Sequence, residues 1–351
     1  MTRKEIVVDL GRIGRTFNHE QCDAIYENDI ALWTDISQQI NHKTYSHDGI
    51  SAEVIADWEP VVDNFKKQQK REREFNKLLK EKGEAAWKIF KTELQDPKVS
   101  FTVTIKGKHE LLKQDWYHSF FVEKYIYDIF LVANLSLPGS CEFLNARFIS
   151  KSGKDRERYN LSSYNFEEGL YRHLEGKSPS PTILPIRSVM EWYKEFDTGV
   201  RQKAETSIEK AVFSLLHLCK KDTDETSMIW IFHALEAIYG TKVGEGFSNL
   251  IDRISILLEL NIEQKKKTKK KLRDMYDYRS SIVHGGYKVH HPLKNEVIDR
   301  NLTNDYSRMF KLHQEGFNLV VASIQKLIKN GWHGITFEQK LNGIQNHYTK
   351  K

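Results

Sequence analysis

The chain has 351 residues, 39% hydrophobic and 29% charged. That length is enough for two folded units, since single cores rarely exceed about 250–300 residues, and the composition excludes a disordered or fibrous chain. The formal charge of +6 is local: between Ile262 and Lys288 nine basic residues stand against three acidic ones, and the remainder is balanced at 45 of each sign. One polyanion-binding region is expected rather than a generally basic surface.

Cys22, Cys141 and Cys219 are too scattered for a disulfide framework or a zinc site and fit a reducing, cytoplasmic setting. The start, Met1 to Glu5, precedes too short an apolar run for a signal peptide. The longest apolar stretch, Tyr125 to Leu137, is interrupted by Asp128 and Asn134. It falls short of the roughly 20 residues of a membrane helix, so no membrane partner is expected.

Residues 1–154 read as a mixed α and β domain. Glu5 to Leu10 forms a predicted strand, and Val99 to Ile105 alternates apolar and polar residues as a half-buried strand should. Between them, Asp63 to Glu93 is charged, with Phe65, Leu78, Leu79, Trp87 and Phe90 interspersed, and reads as one or two solvated helices. Pro138-Gly139 marks a turn. Gly11-Arg12-Ile13-Gly14-Arg15 follows the first strand but lacks the full dinucleotide-loop fingerprint. A connector, 155–204, contains the run Gly176-Lys177-Ser178-Pro179-Ser180-Pro181, which disfavours helix.

From 205 to 330 the pattern is helical throughout. Ile208, Ala211, Val212 and Leu215 make one stripe, and Ile229, Phe232, Leu235 and Tyr239 a second, stopped by Gly240. Phe247 to Leu258 gives a third. Leu272, Met275 and Tyr276 open a fourth, stopped at Gly285-Gly286. Tyr306 to Ile328 gives a fifth, stopped at Asn330-Gly331. The fold class expected is α+β: an N-terminal mixed region, then a five-helix bundle, with an uninformative tail at 331–351.

On the fourth helix, at about 100° per residue, Arg279 falls within about 20° of the line of Leu272, inside the apolar stripe. A guanidinium there needs an anion: an internal acid such as Glu236 or Asp252, or a phosphate in a cleft between two subunits. Ser280 and His284 lie together on the flank of the stripe. His284, at the helix end, suits proton exchange near neutral pH. The run Lys265, Lys266, Lys267, Lys269, Lys270, Lys271 and Arg273 precedes them, either as a solvated face or as a backbone-binding surface for RNA. His290-His291 follow, and could join His284 at a metal or line the loop beside a bound anion.

The run Tyr276-Asp277-Tyr278-Arg279-Ser280-Ser281-Ile282-Val283-His284-Gly285-Gly286 resembles the signature of the HEPN superfamily, an arginine followed after four to six residues by a histidine. The Apea-like HEPN domain is the nearest form, supported by Ala211 to Leu216 and Phe232 to Gly240. The resemblance covers about Pro185 to Leu327. It implies a helical bundle that dimerises with two such motifs facing across a two-fold axis. It also implies a metal-independent endoribonuclease with no cofactor, working in bacterial anti-phage defence or a toxin–antitoxin system. An antitoxin or phage-derived trigger would then be a partner, and the first 154 residues a sensor or regulator. His284 would act as acid or base, Arg279 would stabilise the phosphorane and Ser280 would position the phosphate. Active members often carry Asn, Asp or His after the arginine; serine can bond phosphate but is no base near neutral pH. The alternatives are a non-catalytic HEPN module that dimerises and binds RNA or protein, and a nucleotidyltransferase partner or toxin active only after release.

Overall fold

The computed structural model describes residues 1–15, 22–90, 94–108, 110–149, 158–195, 199–220, 225–241, 247–291, 293, 295 and 297–338. The N-terminal part carries a five-stranded antiparallel sheet of order β2-β3-β4-β1-β5. The strands are β1 (Thr2–Asp9), β2 (His42–His47), β3 (Ile50–Asp57), β4 (Lys98–Lys106) and β5 (Arg147–Phe148). The predicted strands correspond to β1 and β4, which pair directly, Val8 opposite Val99 and Ile6 opposite Phe101. Val54 stands opposite Val103 and Ala56 opposite Phe101, so one face collects the apolar half of each alternation. Val99, Phe101, Val103 and Ile105 are fully buried there.

Helices α1 (Cys22–Gln39) and α2 (Glu59–Lys82) pack together, and α2 stops at Gly83 before a 3-10 turn and the short α3 (Ala86–Ile89). These cover the charged stretch expected to be helical up to Ile89; Glu93 lies outside the described residues. The apolar run Tyr125–Leu137 ends the 22-residue helix α4 (Asp115–Ser136). Residues on every side of this helix are buried, against the sheet on one side and helices on the other. Among the described residues no helix is long and apolar enough to cross a membrane.

Arg15, in the glycine-containing segment after β1, is buried and grips Asp29 of α1 with two hydrogen bonds, Nε to Oδ2 at 2.8 Å and Nη2 to Oδ1 at 2.9 Å. Its Nη1 donates to the Pro138 carbonyl at 3.0 Å, beyond the end of α4. The segment thus serves as a buried clamp between α1 and α4.

The stretch 155–204, expected as a connector, carries two helices, α5 (Tyr164–Leu174) and α6 (Ile186–Glu195). Phe166 and Leu170 of α5 and Val189 and Trp192 of α6 are buried, because these helices fill the space between α4 and the last helix. Residues 155–157 and 196–198 of the stretch lie outside the described residues.

The C-terminal half follows the five stripes as α7 (Ser207–Leu218), α8 (Ser227–Tyr239), α9 (Phe247–Leu257), α10 (Ile262–Val283) and α11 (Asn301–Asn330). Capping boxes start α7 (Thr206 with Glu209) and α10 (Asn261 with Gln264), and left-handed Gly240 and Gly331 end α8 and α11. Gly316 marks where α11 passes closest to its neighbours. A Cβ there would lie 2.6 Å from Ile231 Cδ1 and 3.0 Å from Met275 Sδ. Gln325 of α11 reaches the other half: its Nε2 donates to the carbonyls of Leu135 (2.9 Å) and Thr182 (2.7 Å), while its Oε1 accepts from Thr182 N (2.7 Å). The chain is therefore of mixed class, with an N-terminal antiparallel sheet and a largely helical remainder. Buried residues from both halves belong to one continuous core. Of the tail, 339–351 lie outside the described residues.

Candidate functional site

Lysine run and motif share one helix, α10, whose buried line is Thr268, Leu272 and Met275. Asn261 holds the start through its side-chain oxygen on Gln264 N at 2.8 Å. At the other end His284 is the cap residue just past the last helical turn, its N–H donating to the Ser280 carbonyl at 3.0 Å. The helix cannot continue because Gly285 takes φ +73°, a left-handed conformation that glycine adopts without strain. His284 is exposed, while Arg279 and Ser280 are half-buried.

Arg279 has neither of the acids considered for it. Asp252 is occupied by Lys265, Nζ to Oδ1 at 2.8 Å. Among the described residues Arg279 makes no ion pair, and its buried Nε has no hydrogen-bond acceptor. Its guanidinium carbon lies 5.8 Å from the centre of the Phe232 ring, a cation–π contact with α8. The stripe position expected for Arg279 holds, but the far end of the stripe is not sealed. Tyr276 is 37% exposed and Val283 56%. The reason is the length of α9: its first residue, Phe247, reaches Tyr276, and α9 runs from there towards the start of α10.

The seven basic residues of the run divide. Lys265 is held by Asp252 of α9, Lys267 by Glu263 one turn earlier (2.7 Å), and Lys271 by Glu315 of α11. Glu315 also takes a two-pronged bond from Arg172 of α5, at 3.0 and 3.1 Å. Arg273 lies over Phe247 at 4.7 Å. Lys266, Lys269 and Lys270 are exposed, and among the described residues none has an ion-pair partner. These three, with Arg273, project within about 100° of one another around the helix, on the side that also bears Ser280 and His284.

After the motif the chain is pinned by a cluster that periodicity does not reveal. Tyr287 N donates to the Ser281 carbonyl at 2.9 Å, its ring meets Tyr278 at 5.3 Å, and its hydroxyl donates to Glu225 at 3.3 Å. The His290 side chain is only 12% exposed. Its Nδ1 lies 3.6 Å from Glu225 and its Nε2 3.5 Å from Asp305, with Tyr306 beside it. Burial raises the phenols of Tyr278 and Tyr287 above their ordinary range, so both stay neutral. His290 thus belongs to this clasp, and His291 is exposed and accepts from Leu293 N. Among the described residues no three His, Cys, Asp or Glu side chains converge as metal ligands.

The helix therefore carries a guanidinium with an unmet donor, a hydroxyl, an exposed imidazole at its end and, among the described residues, three ammonium groups without an ion-pair partner; Arg279 and His284 lie about 140° apart around it, so one copy does not aim both at a single atom. Such a set can bind a phosphodiester and exchange a proton beside it. No family model, curated protein or solved structure matches the chain.

Proposed function

We propose that this chain is a metal-independent HEPN-type endoribonuclease that works as a homodimer with the Arg279 faces near the two-fold axis. The observation that carries the reading is the state of Arg279: half-buried and, among the described residues, without an acid and with no acceptor for its Nε. A buried unsatisfied donor on a charged group is costly, and an anionic ligand removes that cost. Phosphate is the anion that also explains the unpaired lysines along the same helix.

In the reaction, His284 takes the proton of the ribose 2′-hydroxyl, or, in the second copy, protonates the departing 5′-oxygen. The 2′-oxygen attacks phosphorus, and the P–O5′ bond breaks. The products are a 2′,3′-cyclic phosphate and a 5′-hydroxyl. Arg279 stabilises the charge that gathers on the phosphorane, and Ser280 donates a hydrogen bond to a non-bridging oxygen. A place in bacterial anti-phage defence or a toxin–antitoxin pair follows from the resemblance, with the sheet-bearing half as sensor or regulator.

A second reading, a non-catalytic module that recruits RNA or protein, draws on the apolar side chains left in solvent after the motif. Val289, Leu293, Val297 and Ile298 are each more than 80% exposed. Purified protein incubated with total RNA in EDTA separates the two. The nuclease gives cyclic-phosphate ends that vanish in His284→Ala; intact RNA in both samples leaves the binding module.

A further inference from the structure

Arg273 and Arg279 stand at the two ends of a ladder of rings. Arg273 lies 4.7 Å from the centre of Phe247, Phe247 is 5.6 Å from Tyr276, Tyr276 is 5.8 Å from Phe232, and Phe232 is 5.8 Å from the Arg279 guanidinium. The ends of the ladder are charged and its middle is aromatic. Phe232 is buried at 1% exposure, and Phe247 is half-buried. Tyr276 alone of the three rings is open, at 37%. It meets Phe232 at 78° and Phe247 at 56°, so neither neighbour lies parallel on it.

The packing role of Tyr276 is met by its inner edge against those two phenylalanines. Its outer part has no partner of that kind among the described residues. The Cα atoms of Arg273 and Arg279 are about 9 Å apart along the helix axis at about 1.5 Å per residue. Successive phosphates of a stacked strand rise about 3.4 Å, so that span takes in roughly two to three nucleotides.

We propose that Tyr276 is a nucleobase platform, with one unpaired base stacked on its ring and the flanking phosphates on Arg273 and Arg279. This rests on the ribonuclease reading and adds a base-contacting residue to it. A paired base keeps its faces inside the helix and cannot lie on the ring. An unpaired base can, and aromatic stacking tolerates any base because each has a π face.

The test measures binding, not cleavage, using a short fluorescent 2′-fluoro oligoadenylate that lacks the attacking hydroxyl. Loss of the ribonuclease reading therefore leaves this measurement intact, and cleavage that persists without stacking removes only this proposal. Tyr276→Leu keeps apolar packing and removes the planar ring. It weakens oligoadenylate binding about tenfold, within the range of one base stack, while Tyr276→Phe stays within twofold of wild type. Binding of inorganic polyphosphate, which has charge and no bases, is unchanged in both variants. Unchanged oligoadenylate binding in Tyr276→Leu, or a parallel loss of polyphosphate binding, overturns the proposal. A second measurement needs no variant: photocrosslinking of wild type to a 5-iodouridine-substituted single strand maps to Tyr276, and a map without it overturns the proposal as well.

Discussion

Lys265 Nζ lies 2.8 Å from Asp252 Oδ1, joining α10 to α9 within what the sequence presents as an uninterrupted lysine run. The run therefore holds two populations, one paired with acids of α9, α10 and α11 and one, among the described residues, without an ion-pair partner. Replacing Lys266, Lys269 and Lys270 with Gln flattens the log–log salt dependence of RNA binding by about 2, at about 0.7 per lost phosphate contact on a single strand. Replacing Lys265, Lys267 and Lys271 changes that slope by less than half as much and lowers the melting temperature instead, chiefly through the Lys271–Glu315–Arg172 contact. Titrations at several salt concentrations, with thermal melts of both triple variants, check the division.

On the proposed reading Arg279 serves function at the expense of stability. Arg279→Met retains the contact with Phe232 and removes a buried donor that has no acceptor. The melting temperature is therefore expected to hold or rise, while cleavage falls by about 10²–10³, the usual loss for a donor to a developing oxyanion. A fall in both together would mark Arg279 as a structural residue.

The His290 clasp governs the chain that leaves His284. In His290→Ala the ring between Glu225 and Asp305 is gone, and the Tyr287 amide, bonded to the Ser281 carbonyl, exchanges its hydrogen about tenfold faster. That factor corresponds to about 1.4 kcal/mol, within the ordinary cost of a single substitution. Exchange measured residue by residue is expected to localise the change to 285–300 and leave α8 protected.

Glu142 supplies a pH signature for the sheet-bearing half. Burial pushes its carboxyl up to about 7, against hydrogen bonds from the backbone N–H groups of Ser163 and Leu144 and from the hydroxyls of Ser162 and Ser163. Between its ordinary value of 4.5 and about 7 the folded chain holds a proton that the unfolded chain has released. Stability therefore falls as pH rises through that window and stays lower above it, by up to about 3 kcal/mol at about 1.4 kcal/mol per pH unit. In Glu142→Gln this component is absent, so the difference between wild-type and variant melting temperatures changes between pH 5 and 8 and is flat above pH 8.

The helices of the second half were legible because each carries an apolar stripe, and three of them, α8, α10 and α11, stop at a glycine. α4 shows no stripe because it is buried on every side, so periodicity is silent where the core is deepest. The hairpin of β2 and β3 had a local cue in Asp48-Gly49, both with positive φ, but β2 is mostly polar and shows little alternation of its own. α5 and α6 were hidden by the neighbouring prolines, whose effect stays confined to 176–185. At the site, the place of Arg279 in the stripe was readable by arithmetic. The pairing of the lysines was not, because Asp252 and Glu315 are brought to them only by the packing of α9 and α11. The exposure of Tyr276 depends likewise on where α9 begins.

Gln325 also sets a schedule for the ribosome. Its carboxamide bonds the Leu135 carbonyl across 190 residues of chain. At about 5–20 residues per second, α4 waits roughly 10–40 s after its own synthesis before α11 emerges to meet it. Throughout that interval one of the most apolar helices of the protein is on the nascent chain without its final neighbour. Slow translation between α4 and α11 therefore lengthens the time in which a chaperone must shield α4.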